Sequence, residues 1–241
     1  MGIKETMKEK LGISSAVLKW IAVFSMIIDH FACAVCNPSV LGCSPEVYRN
    51  LRRIGRIAFP IYCFLLVEGF FHTKNVWKYL RNLVLFAVIS EIPFNMAIFG
   101  HVFYPKGQNV YFTLALGLCT MILLKRFAGF RMPQLLVQAV IIAAFLFLGE
   151  YLDVDYHWKG IAYIVMFYYL KELKIRESLS AVAGAVAFAV YEPPAVLAFV
   201  PLYLYNGKRG RQIKYLFYAI YPLHLAVFGM LRFWICTGMG S

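Results

Sequence analysis

The chain has 241 residues, 61% of them hydrophobic and only 15% charged, with a net charge of +12 from 24 Lys and Arg against 12 acids. A soluble domain carries about 25% charge, so this composition, with a mean hydropathy of +0.68, excludes an ordinary water-soluble domain. The basic residues fall between apolar runs, as they do in cytoplasmic loops, and this argues against nucleic acid as a partner.

The expected fold is all-α, a polytopic transmembrane helix bundle of about nine helices (eight to ten), since a span needs about 20 apolar residues and fewer where a helix is short among neighbours. Residues 1–15 are charged, and no small-residue cleavage site follows the next run, so helix 1 reads as retained behind a cytoplasmic N-terminal segment. Met1-Gly2 with Thr6 fits a myristoylation pattern, an anchor that a spanning chain does not need. The apolar runs are 16–36, 57–71, 80–99, 110–124, 132–150, 159–171, 178–191, 194–206 and 214–236. Glu192-Pro193-Pro194 either separates two spans or breaks one hairpin.

Loop charges alternate along this order. Even-numbered loops hold Lys74, Lys78 and Arg81; Lys125, Arg126 and Arg131; Lys171, Lys174 and Arg176; and Lys208, Arg209, Arg211 and Lys214. Odd loops are the segment near 36–45, His101 to Gln108, the acidic Glu150, Asp153 and Asp155, and Glu192. The alternation predicts a cytoplasmic N-terminus. The exception is the odd loop with Arg49, Arg52, Arg53 and Arg56, whose arginines either snorkel to lipid phosphates or serve a task. Cys33-x-x-Cys36 has no second CxxC or spaced His pair beside it, so the cysteines read as apolar fillers, or as a disulfide from Cys33 or Cys36 to Cys43 on an outer face.

The first run contains Asp29-His30. An Asp at a helix centre costs roughly 2.5–3.5 kcal/mol to insert, so the pair must face the protein interior, water or the interface. An acid beside the side chain that titrates near neutrality is also what proton transfer uses. Lys19 precedes His30 by eleven residues, about 16 Å along a helix and nearly on the same face. Asp29, one step away, either orients the imidazole or bonds a neighbour. Glu68 and His72 share a face four residues apart, as a helix-end pair or a functional one. Glu91 lies mid-run before Pro93, which frees a carbonyl in the preceding turn. Asn109 and Tyr111 open the fourth run with a polar patch, Asp155 precedes the sixth, and Tyr221 and His224 lie in the last. These groups form no zinc motif such as HExxH, and no metal is expected.

The strings LKWIAVFSMIIDH (18–30), RRIGRIAFPIYCFLLVEGFFHT (52–73), YLRNLVLFAVISEIPFN (79–95), QNVYFTLALG (108–117) and YAIYPLHL (218–225) resemble the TraX family, in order over nearly the whole chain. That family is named for a conjugation protein that acetylates the pilin N-terminus. It is distantly similar to the acyltransferase-3 and lysosomal heparan acetyltransferase group. The resemblance implies one transmembrane acyltransferase domain over 16–236, in a bacterial cytoplasmic membrane. The wider group carries a reactive histidine near the outer end of helix 1 with a basic residue eleven positions before it, matched by His30 and Lys19. Its cytoplasmic Arg-x-x-Arg is matched loosely by Lys78-x-x-Arg81, and its terminal Tyr-x-x-His by Tyr221 to His224.

The implied activity moves an acetyl group from cytoplasmic acetyl-CoA to an acceptor amine or hydroxyl of a peptide, glycan or lipid. Lys19, Lys78 and Arg81 would meet the donor phosphates. Arg53, Arg56 or Asn109 would stabilise the oxyanion or bind the acceptor. His30 serves as base or as acyl nucleophile, with Asp29 raising its basicity directly or through neighbours. A non-enzymatic proton-coupled transporter, or an assembly partner of a surface structure, would also need buried His, Asp and Glu. The missing inverted-repeat pattern counts against the transporter. A homo-oligomer is compatible with every one of these readings.

Overall fold

Short polar residues start four of the helices. Ser14, Ser44, Asn75 and Asn109 accept backbone N–H groups of the first turns that follow them, which relieves donors with no intrahelical partner. The computed structural model describes residues 12–175 and 177–238. The expectations for residues 1–11, Thr6 among them, and for Arg176 lie outside the described residues.

The elements are α1 (Ser15–Ala34), α2 (Pro45–Gly55), α3 (Ala58–His72), α4 (Val76–Ile98), α5 (Val110–Arg126), α6 (Met132–Tyr151), α7 (His157–Glu172), α8 (Glu177–Tyr191), a 3-10 segment (Pro193–Ala198), α9 (Phe199–Tyr203) and α10 (Lys214–Gly238). Among the described residues there is no strand, only the isolated bridges Ile13–Tyr205 and Gln108–Val154. The all-helical bundle is as expected.

The number of spans is not. Every apolar run becomes helical, but five segments among the described residues are long and apolar enough to cross a membrane, not nine: Ser15–Ala34, Pro45–His72, Val76–Ile98, Met132–Tyr151 and Tyr215–Gly238. The difference lies in length. α5 and α7 have 17 and 16 residues, below the roughly 20 that hydrocarbon requires, and their apolar faces are buried against other helices. The run at 194–206 is a 3-10 turn followed by a five-residue helix, because Pro193 and Pro194 lack the N–H groups that a continuous helix needs.

The arginine loop is also corrected. Residues 45–55 form helix α2, with Pro45 in its first turn and Glu46 near its positive end. α3 is buried nearly all round and forms the centre, whereas α6 is almost bare, as a lipid-facing helix would be. The chain runs back and forth between two ends. One end gathers the starts of α1, α4 and α10 and the finish of α3, tied by the Ile13–Tyr205 bridge and by Lys171 on Glu68 at 2.6 Å. We call it the basic end. The other holds the C-terminal part of α1, all of α2, the Gln108–Val154 bridge and a Cys36–Cys43 disulfide, one of the two pairings expected.

Candidate functional site

α1 and α10 both start at the basic end and lie in contact, so each brings a histidine toward the disulfide end. His30 Nδ1 and His224 Nε2 are 2.6 Å apart. The rings are 11° from parallel with centroids 5.0 Å apart, a separation that joins them edge to edge through the nitrogens. His224 Nδ1 in turn lies 2.6 Å from the Ile220 carbonyl one turn earlier.

The proton positions follow from this chain. A carbonyl only accepts, so His224 Nδ1 carries the hydrogen and donates it to Ile220. Neutral His224 then accepts at Nε2, and His30 donates from Nδ1. His30 Nε2 is left with a lone pair, and no described residue bonds it. Tyr221 stands edge-on to both rings, 5.6 Å from His30 and 5.8 Å from His224. Tyr111 packs edge-on to Tyr221 at 5.0 Å and donates its hydroxyl to the Tyr218 carbonyl at 3.3 Å. That carbonyl is free because Pro222, four residues on, has no N–H to offer it.

Asp29 turns away from His30. Its carboxylate pairs with Arg52 of α2, and its Oδ1 is buried without a partner among the described residues. Ser25 donates to the Ile54 and Gly55 carbonyls at 2.6 and 3.1 Å, pinning the α2–α3 corner onto α1. A Cβ on Gly55 would come within 2.0 Å of Asp29 Oδ1, so the close approach requires glycine there. Next along, Arg56 reaches Glu192 at 3.6 Å and lies 5.9 Å from the centre of the Tyr156 ring. Asp155 is within electrostatic reach of Arg56, Asp29 and Arg52, and burial pushes its carboxyl up to about 6 against the pull of those arginines.

The remaining candidates separate by location. Asn109 donates to Glu91 at 2.6 Å and to the Ala87 carbonyl at 2.8 Å, which ties α4 to α5 beside Tyr111. Arg53 is exposed, and its side chain donates to Asn50 at 3.4 Å. Glu68 and His72 lie at the basic end, where Glu68 bonds Lys171 and accepts from Tyr205 at 3.3 Å. Lys19 also lies there, bonded to Gln212 at 2.5 Å, as do the exposed Lys78 and Arg81 on α4. The structure therefore brings His30, His224 and Tyr221 together, with Tyr111 behind them. It places Lys19, Lys78 and Arg81 at one end and Arg53 and Arg56 at the other. Among the described residues no group of three or more His, Cys, Asp or Glu is arranged to hold a metal ion.

Sequence reasoning missed Arg52 as the partner of Asp29, and Tyr156 and Glu192 around Arg56. A signal for α2 was present: Arg49, Arg52, Arg53 and Arg56 are spaced as one stripe of a helix. Nothing local marks Glu192, which is brought to Arg56 by tertiary packing alone.

An all-helical bundle with five membrane-length apolar segments and a histidine pair on adjacent helices defines a polytopic membrane protein with a buried polar site. The TraX protein family matches residues 14–232, and the chain belongs to that family. A Dichelobacter nodosus protein described as "Probable fimbrial assembly protein FimC, serogroup H1" is similar to it, 32% identical over 247 aligned positions that cover 92% of this chain and 96% of the relative. No solved structure matches the chain.

Proposed function

We propose that this protein is a membrane acyltransferase that moves an acetyl group from cytoplasmic acetyl-CoA to an acceptor amine or hydroxyl, with His30 Nε2 as the reacting atom. The observation that carries this reading is the chain from the Ile220 carbonyl through His224 to His30, which fixes both tautomers and leaves one lone pair uncommitted.

In the reaction, His30 Nε2 takes the acceptor's proton as the acceptor oxygen or nitrogen bonds to the thioester carbon. The C–S bond then breaks, and the departing thiolate recovers the proton from His30. His224 accepts the Nδ1 hydrogen bond throughout, which stabilises the imidazolium between the two steps. A route through an acyl-histidine uses the same Nε2. Asp29 acts as a positioning residue: its pair with Arg52 holds α2 against α1. Arg53, Arg56 and Asn109 are on the acceptor's side. Lys19 offers a cation to the donor phosphates at the basic end, where Lys78 and Arg81 also lie. Basic loops at one end and a disulfide at the other favour a cytoplasmic N-terminus, with the disulfide end in an oxidising compartment.

The name of the D. nodosus relative favours an acceptor or partner from a fimbrial structure. It equally favours a second reading, an assembly partner without catalysis. The two are separated by measuring CoA release from acetyl-CoA in membranes that contain the protein or its His30→Ala variant. Release that depends on His30 supports the enzyme. Equal release from both membranes and from membranes lacking the protein favours the assembly partner.

A further inference from the structure

The segment joining α9 to α10 is fastened to the start of α1 along its whole length. Ile13 N bonds Leu204 O at 3.0 Å, Asn206 N bonds Ile13 O at 3.1 Å, Ser15 N bonds Lys208 O at 2.9 Å and Ala16 N bonds Arg209 O at 3.1 Å. Side chains add to this: Ser15 Oγ donates to Arg209 O at 2.9 Å, and Gln212 Nε2 donates to Ser15 Oγ at 2.8 Å. Gly207 and Gly210 bend the loop at φ +75° and +69°. Gly210 also lies so close to α1 that a Cβ would come within 2.5 Å of Ser14 Oγ.

The result is a fixed loop whose carbonyls at Lys208 and Arg209 are turned onto the α1 amides. Its cationic side chains Lys208, Arg209 and Arg211 are all exposed, and none has an acidic partner among the described residues. Gln212 brings Lys19 of α1 beside the loop. Other cations at this end are differently engaged: Lys171 pairs with Glu68, and Lys125 lies over the Phe70 and Phe71 rings. Arg81 lines an outward apolar groove of about 560 Å³ with Trp77, Val84 and Val88.

The 207–212 loop also lies at the starts of the two helices that carry His30 and His224. Lys19 is about 16 Å from His30 along α1, a distance on the scale of an extended pantetheine arm. We propose that this loop, with Lys19, is the phosphate-binding site for the acyl donor, an inference that rests on the acyltransferase reading. Three exposed cations on a rigid frame suit a pyrophosphate group, because the backbone is already ordered before binding and each cation can add a charge-assisted hydrogen bond.

Anionic lipid headgroups present the same phosphate chemistry, so the test uses nanodiscs of zwitterionic lipid and, in parallel, of lipid containing phosphatidylglycerol. The Lys208→Gln/Arg209→Gln/Arg211→Gln variant keeps every backbone bond to α1, and its melting temperature reports folding. A second variant, Lys78→Gln/Arg81→Gln, probes the opposing helix. In zwitterionic nanodiscs the loop variant is expected to bind CoA roughly tenfold or more weakly than wild type, with binding of phosphate-free acetyl-pantetheine unchanged.

Wild-type affinity for CoA in the loop variant would overturn the proposal, as would a loss confined to the Lys78/Arg81 variant. So would a difference seen only with phosphatidylglycerol, which would make the loop a lipid contact. These outcomes leave the acyltransferase reading standing. A wild-type protein that binds neither CoA nor acetyl-pantetheine overturns both.

Discussion

Two regions of this molecule pair a histidine with a nearby carboxylate, and the protein treats them in opposite ways. At the disulfide end, Asp29 is taken by Arg52, and His30 turns instead to a second imidazole, which leaves Nε2 open in a buried setting. At the basic end, Glu68 is buried and bonded by Lys171, while His72 is largely exposed and its Nδ1 bonds its own helix at the Glu68 carbonyl. The adjacent Asp29 and His30 thus take different partners, whereas Glu68 and His72, four residues apart, do meet, at 3.9 Å. A buried imidazole with an uncommitted nitrogen is equipped for chemistry, and a carboxylate held by a lysine is equipped to join helices.

Deleting each histidine in turn separates the two regions most strongly. His30→Ala is expected to lower acetyl transfer by about 10³-fold, within the range for a lost general base, without a change in melting temperature. His72→Ala is expected to leave transfer near wild type, and a comparable loss there would erase the distinction. His224→Ala sharpens it: transfer should fall by roughly 10²-fold, less than for His30, because the tautomer is released while the base remains.

Arg52→Ala tests the carboxylate's role, since it leaves Asp29 unpaired in a mostly buried position. Unfolding should come easier by roughly 2 kcal/mol, between the values for exposed and buried pairs, read as a lower melting temperature in detergent. Cys36→Ser should cost a similar roughly 2 kcal/mol through the short loop it opens, with His30 chemistry retained.

The smallest effect concerns pH. Asp155 is held protonated up to about pH 6 by burial, above the ordinary value for an aspartate. Its contribution to stability is therefore full below about pH 4 and lost as pH rises through about 6. The melting temperature of wild type relative to Asp155→Asn should fall between about pH 4 and about pH 6, and a flat difference would contradict that assignment.

Much of this was legible in the residues. The apolar runs marked where helices form, and Asn109 marked the opening of the fourth, because apolar runs and their polar ends are local properties. His30, His224 and Tyr221 were each visible as polar groups in apolar runs. Their meeting was not, since it depends on α1 and α10 packing side by side across 194 positions. The span number failed because apolarity alone does not separate helices buried in protein from helices facing lipid: α5 and α7 are apolar but shorter than a span. The arginine segment failed because its helical period was outweighed by its place between two runs.

The most direct test of the central claim is CoA release from acetyl-CoA in membranes containing wild type, His30→Ala or His224→Ala at matched protein levels. His30→Ala is expected to fall to the background of membranes without the protein, and His224→Ala to lie between it and wild type. A wild-type rate from His30→Ala would contradict that claim, because His30 is the only described side chain that hydrogen-bonds His224.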